Sequence, residues 1–136
     1  MTHTEQKITL LEVTAPFLEG MRRHLAPIFD QQRETWQREG PAALAEFDAT
    51  GATLDTIGGN CPVQAEGDVD GHRFYFRARG AAWQFHVART DDEIFSNPVF
   101  YREEGYGEYP QAGWMPEHEA IGFIVDSIAQ FRAGRA

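Results

Sequence analysis

Four sets of residues in this chain have the types and spacing that chemistry requires. Glu66, Tyr75 and His86, with Arg77 nearby, form an acid–phenol–imidazole row if three adjacent strands set them side by side. Such a row binds a polar ligand or moves a proton. Cys61, the sole cysteine, is a candidate nucleophile and needs a base within hydrogen-bond reach. Asp91-Asp92-Glu93 and Glu117-His118-Glu119 offer donors to a metal, and Gly58-Gly59 and Gly105-x-Gly107 offer open backbone to a phosphate. The acidic clusters lack EF-hand, H-E-x-x-H or C-x-x-C spacing, and Glu117 and Glu119 also suit a helix's first turn. The glycines lack a P-loop lysine and dinucleotide-fold spacing. No metal and no cofactor are therefore expected.

The elements that would position these residues can be read from turn chemistry. Asp70-Gly71 is a two-residue type I′ hairpin signal. Centred there, a hairpin pairs Val69 with His72, Gly67 with Phe74, Ala65 with Phe76 and Val63 with Ala78. A second tight turn at Gly80-Ala81 pairs Ala78 with Trp83, Phe76 with Phe85 and Phe74 with Val87. Both registers place Val63, Ala65, Phe74, Phe76, Trp83, Phe85 and Val87 on one face, and a one-residue slip destroys that agreement. The spacing predicts a three-stranded antiparallel meander over residues 62–89, with a fourth strand at Pro98 to Arg102. The opposite face then carries Glu66, Asp68, Arg73, Tyr75, Arg77, Arg79, Gln84 and His86. There Asp68 faces Arg73, Glu66 faces Tyr75, and Tyr75 faces His86, pairings that also simply stabilise a sheet. Cys61, in a flexible lead-in at residues 58–62, falls roughly 16 Å from His86 at about 3.3 Å per residue. No Cys–His dyad is expected.

Helical periodicity flanks the meander. Pro16 suits a first helical position. Phe17/Leu18, Met21, Leu25, Ile28/Phe29, Gln32 and Trp36 follow as one apolar stripe. Pro27 is expected to kink or split this helix, and Gly40-Pro41 to stop it and start a shorter one offering Leu44 and Phe47 to the core. Ile8 to Val13 is open between an edge strand and the first helical turns. Pro116 opens a last helix with Ile121, Ile124/Val125, Ile128 and Phe131 in register. The fold expected is a two-layer α+β domain over residues 1–136, with helices on one face of the sheet.

The 136 residues carry 12 basic and 21 acidic groups, a net charge of −9. That balance argues against direct nucleic-acid or anionic-membrane binding. No apolar run approaches ~18 residues and the N-terminus has no long apolar core, so neither a membrane span nor a signal peptide is expected. A lone cysteine makes the cytoplasm the default location. Charge is unevenly spread: residues 72–89 carry four Arg and no acid, whereas residues 91–119 carry eight acids against Arg102. The acidic stretch also holds Phe95, Phe100, Tyr101, Tyr106, Tyr109 and Trp114. Interleaved carboxylates and aromatics suit a basic protein partner, with rings as anchors and charge for steering. Glu103, Glu104 and Glu108 flanking Tyr106 and Tyr109 are the candidate contacts. The alternative ligand site is Glu66, Tyr75, Arg77 and His86.

The run CPVQAEGDVDGHRFYFRARG (Cys61 to Gly80), with AGWMPEHEA (Ala112 to Ala120), resembles small uncharacterised proteins of phages, prophages and their bacterial hosts. It covers about 30 residues and implies a mobile-element setting but no site residues. The function expected is a non-enzymatic inhibitor that occludes a basic, nucleic-acid-handling partner, as an anti-CRISPR or other anti-defence protein would. An immunity protein, or a small-molecule binder or enzyme on the outer sheet face, is the alternative.

Overall fold

The computed structural model describes the backbone from His3 to Arg135 and side chains from Leu18 onward. Helix α1 spans His3–Ala49, followed by strands β1 (Thr53–Gly58), β2 (Val63–Val69), β3 (His72–Arg79), β4 (Ala82–Ala88) and β5 (Phe100–Gly105), and helix α2 (Glu117–Ala133). Two short 3-10 turns, Asp91–Glu93 and Gln111–Trp114, bracket β5. The chain divides into two compact units, Met1–Thr35 and Trp36–Ala136.

The second unit is an α+β fold built on an open five-stranded antiparallel meander in chain order. Asp70 and Gly71 both have positive φ, 51° and 76°, as a type I′ turn demands. The two hairpins take the expected registers, with Val69 opposite His72 and Ala78 opposite both Val63 and Trp83. Val63, Ala65, Phe74, Phe76, Trp83, Phe85 and Val87 form the core, closed by Phe47 and by Ile121, Ile124, Ile128 and Phe131 of α2. Phe74 stacks on Phe85 and Phe76 on Trp83, so cross-strand aromatic pairs tie the central strands.

Four expectations are corrected. The sheet has five strands rather than three or four, because Thr53–Gly58 adds a strand ahead of the expected meander; the bulge between Leu54 and Thr56 breaks the alternation that would have announced it. The strand expected at Pro98–Arg102 runs instead over Phe100–Gly105. Helix α1 continues through both Pro27 and Gly40-Pro41, and Ile8 to Val13 lies within it. Gly40 is no helix stop, because the Trp36 indole lies over it and leaves no room for a Cβ, at 2.7 Å. Finally, the stripe at Leu18, Met21, Ile28 and Phe29 is exposed rather than packed on a core.

Candidate functional site

Strand alternation sends one set of side chains away from the core, and these build the outer face. Arg73 is its charged hub, held by Asp55 at 2.7 Å, Asp68 at 3.0 Å and Asp91 at 2.9 Å. The Glu66 carboxylate lies 3.9 Å from the same guanidinium. Hydrogen bonds to Asp91, Asp55 and Asp68 push the Arg73 pKa up, so it stays charged at any working pH. Because Asp91 opens the turn after β4, this pair helps fix that segment over the sheet, where Ile94 is buried with Tyr75 and Ala88.

The expected row is therefore divided. Glu66 stands opposite Tyr75, and Tyr75 opposite His86, yet the ion pair takes Glu66 toward Arg73. Tyr75 and His86 do come together, their rings 6.1 Å apart, with Phe95 edge-on to both at 5.2 and 5.3 Å. Gln64 Nε2 donates to the Tyr75 hydroxyl at 2.6 Å. His86 is 7% exposed, with Nδ1 3.1 Å from the Ile94 carbonyl oxygen and Nε2 3.4 Å from Gln84 Oε1. Burial pulls the His86 pKa below its ordinary value, so the ring is neutral near pH 7. Arg77 is half-buried in the adjacent row, between Gln64 and Gln84. This arrangement is an aromatic cluster in which the imidazole is buried beside the exposed Phe95 ring. Cys61 is exposed and seated against Gly113, whose carbonyl accepts its backbone N–H at 2.6 Å. Among the described residues no three His, Cys, Asp or Glu side chains gather to hold a metal ion.

The acidic–aromatic stretch has a different geometry. β5 is an edge strand, paired with β4 alone. Its alternation separates neighbours: Glu103 stands opposite Gln84 and on the outer face, whereas Glu104 stands opposite Trp83 and turns the other way. Glu103 accepts from the Tyr101 hydroxyl at 3.0 Å and faces Gln84 Nε2 at 3.4 Å. Burial, then the Glu103 carboxylate, raises the Tyr101 pKa. Glu104 binds the Arg102 guanidinium at 2.9 Å, which also reaches Asp126 at 2.7 Å and Ser127 at 3.0 Å while lying 5.0 Å over the Trp83 ring. The sole cation of residues 91–119 is thus consumed in a clasp between β5 and α2.

Beyond β5 the chain turns through Gly107 at a φ of 56°. Tyr106 is half-buried edge-on to Phe123, and its hydroxyl donates to Glu119 at 3.2 Å. Burial, followed by the Glu119 charge, raises the Tyr106 pKa. The Glu108 backbone N–H donates to Gln111 Oε1 at 2.8 Å, leaving its carboxylate exposed. Tyr109 is 81% exposed and Trp114 38%. A shallow hollow beside Trp114 is lined by Tyr106, Gly107, Pro110, Gln111 and Trp114. Two backbone hydrogen bonds tie this turn to the β3–β4 hairpin: Tyr106 N–H donates to the Ala81 carbonyl at 2.8 Å and Ala112 N–H to the Gly80 carbonyl at 3.0 Å.

Of the five candidate contacts, Glu103, Glu108 and Tyr109 are exposed and free of ion pairs among the described residues. Glu104 is committed to Arg102, and Tyr106 forms a wall of the hollow. Tyr101 and Trp114, two further aromatics of the acidic stretch, are also exposed. No helix among the described residues is long and apolar enough to cross a membrane. No protein-family model, no curated protein and no solved structure matches the chain.

Proposed function

We propose that the chain is a non-enzymatic binding protein that covers a basic surface of a protein partner. The observation that carries this reading is the edge from Tyr101 to Trp114. There the Glu103 and Glu108 carboxylates stand exposed beside Tyr101, Tyr109 and Trp114, while the one local cation, Arg102, is neutralised internally. Exposed rings on a turn tied to the β3–β4 hairpin supply anchors, and carboxylates outside any ion pair among the described residues supply steering. The short, open side of β5 adds backbone donors and acceptors.

Within that reading, the partner handles nucleic acid, and the carboxylates stand where its phosphates would bind. Inhibition of a defence complex, of the anti-CRISPR or anti-defence kind, is the specific form proposed. An immunity protein against a basic toxin uses the same surface physics. Quantitative capture from a host lysate tests it, comparing the wild type with Glu108→Lys/Tyr109→Ala at low salt and about 0.5 M salt, where the Debye length falls below ~5 Å. A basic protein retained by the wild type, lost from the variant and weakened by salt supports the proposal. Identical captures from both overturn it.

A further inference from the structure

The hollow beside Trp114 is walled by the rings of Tyr106, Trp114 and Pro110, with Gly107 and Gln111 completing it. The Trp114 side chain is exposed and Tyr106 is half-buried, so both rings present surface there. Gly107 has no side chain to fill the space, and at its φ of 56° a Cβ would run into the Gln111 side chain. Gln111 Oε1 in turn accepts the Glu108 N–H at 2.8 Å, a bond that closes the turn on itself.

The charge around these rings has one sign. Residues 103–131 contain six acids (Glu103, Glu104, Glu108, Glu117, Glu119 and Asp126) and no Lys or Arg. Glu108 stands exposed between the lining residues Gly107 and Pro110. Glu119 accepts from the Tyr106 hydroxyl at 3.2 Å, which sets a second carboxylate at the edge of that ring. The cations that flank this span are already engaged, Arg102 with Glu104 and Asp126, and Arg132 with Asp70. Arg79, in the adjoining hairpin, faces the outer side of the sheet by strand alternation, whereas Tyr106 packs on Phe123 of α2.

Rings beside carboxylates suit a cation that carries a flat, poorly hydrated face. A guanidinium is that group: it stacks on an indole or phenol while its N–H groups reach a carboxylate. An ammonium is a compact charge that holds its water more tightly, and a prolyl ring leaves the acids unanswered. We propose that the hollow receives an arginine side chain of the basic partner, its guanidinium over the Trp114 indole and its N–H groups toward Glu108. This rests on the reading of the edge as a surface for a basic protein, and it adds a preference for arginine over lysine that charge alone does not supply.

The test is titration of the full chain with capped hexa-arginine, hexa-lysine and hexa-proline, followed by NMR at the indole N–H resonances of its three tryptophans. The wild type is expected to bind hexa-arginine and to shift the Trp114 resonance, while that of the buried Trp83 stays in place. Hexa-lysine is expected to bind about fivefold more weakly. Trp114→Leu is expected to bring the two cationic peptides to one affinity, with an unmoved Trp83 resonance reporting the fold; the wild-type comparison stands without any variant. Equal affinities with no Trp114 shift, both lost in Glu103→Lys/Glu108→Lys, overturn the arginine site and leave the charge reading of the edge standing. Binding of hexa-proline alone overturns it and assigns the hollow to a prolyl segment. If neither cationic peptide binds, the arginine site is overturned, and the lysate capture decides the edge separately.

Discussion

Two neighbouring acids should behave oppositely when reversed, because one is a structural partner and the other is not. Glu104→Lys removes the 2.9 Å bond to an Arg102 whose side chain is only 13% exposed, and it sets a second cation beside that guanidinium. A charge-assisted hydrogen bond contributes about 1.5–3 kcal/mol when buried. Half of the Glu104 side chain is in solvent, so we discount this to about 1–2 kcal/mol. For a folded unit of about one hundred residues, that lowers the Tm by roughly 5–15 °C. Glu108→Lys alters an exposed carboxylate without an ion pair among the described residues, and such changes stay within about 0.5 kcal/mol. Calorimetric melts of the wild type and both variants, at low and high salt, read the difference. Adding Asp126→Asn to Glu104→Lys should cost less than the two single changes summed, since both act on Arg102. The reasoning is refuted if Glu104→Lys melts with the wild type, or if Glu108→Lys melts as low as Glu104→Lys.

Other consequences follow from burial and geometry. His86 has a native pKa held below its unfolded value by burial, so its neutral form contributes stability above about pH 6.5 that is lost as pH falls toward the native value. Urea titrations between pH 8 and 5 should show a slope that His86→Gln reduces; an unchanged slope contradicts the assignment. In the β2–β3 turn, hydrogen bonding from Arg132 holds the Asp70 carboxyl below its usual range. Asp70→Asn, which tolerates the positive φ, should be less stable than wild type at pH 7, with the gap closing as pH falls from about 3.9 through the lower native value. A gap constant with pH would mean the turn rather than the ion pair is at stake. Gly67→Ala should cost about 1–3 kcal/mol in chemical denaturation, because a Cβ there drives into the Thr53 carbonyl oxygen and the Phe74 ring; a neutral substitution refutes that close packing.

What the sequence disclosed depended on how local the signal was. Asp70-Gly71 and Gly80 need positive φ, and alternation on either side fixes one apolar face, so both hairpins and their registers were legible residue by residue. β1 was not, because its bulge at Leu54/Thr56 spoils the period and none of its residues is fully buried. Gly40-Pro41 reads as a break, but the Trp36 ring packed over Gly40 makes the glycine a contact and not a cap. The acidic stretch was legible as composition, while its division was not. Placing β5 at Phe100–Gly105 sends Glu103 and Glu104 to opposite faces and commits Glu104 to the clasp. The outer-face row and the Asp68–Arg73 pair were placed correctly by register, yet Asp55 of β1 and Asp91 from beyond β4, which also gather on Arg73, lie outside any pairing of the three expected strands.

Binding of a basic partner is assigned to the exposed Glu103 and Glu108 carboxylates, which take no part in the Glu104–Arg102 clasp. The most direct measurement is the affinity of the partner captured from lysate for the wild type and for Glu103→Lys/Glu108→Lys, paired with the melting temperature of each. The account predicts at least tenfold weaker association, about 1.4 kcal/mol, with a Tm within a few degrees of wild type. Equal affinity at an unchanged Tm, or loss of binding only through loss of the fold, would contradict it.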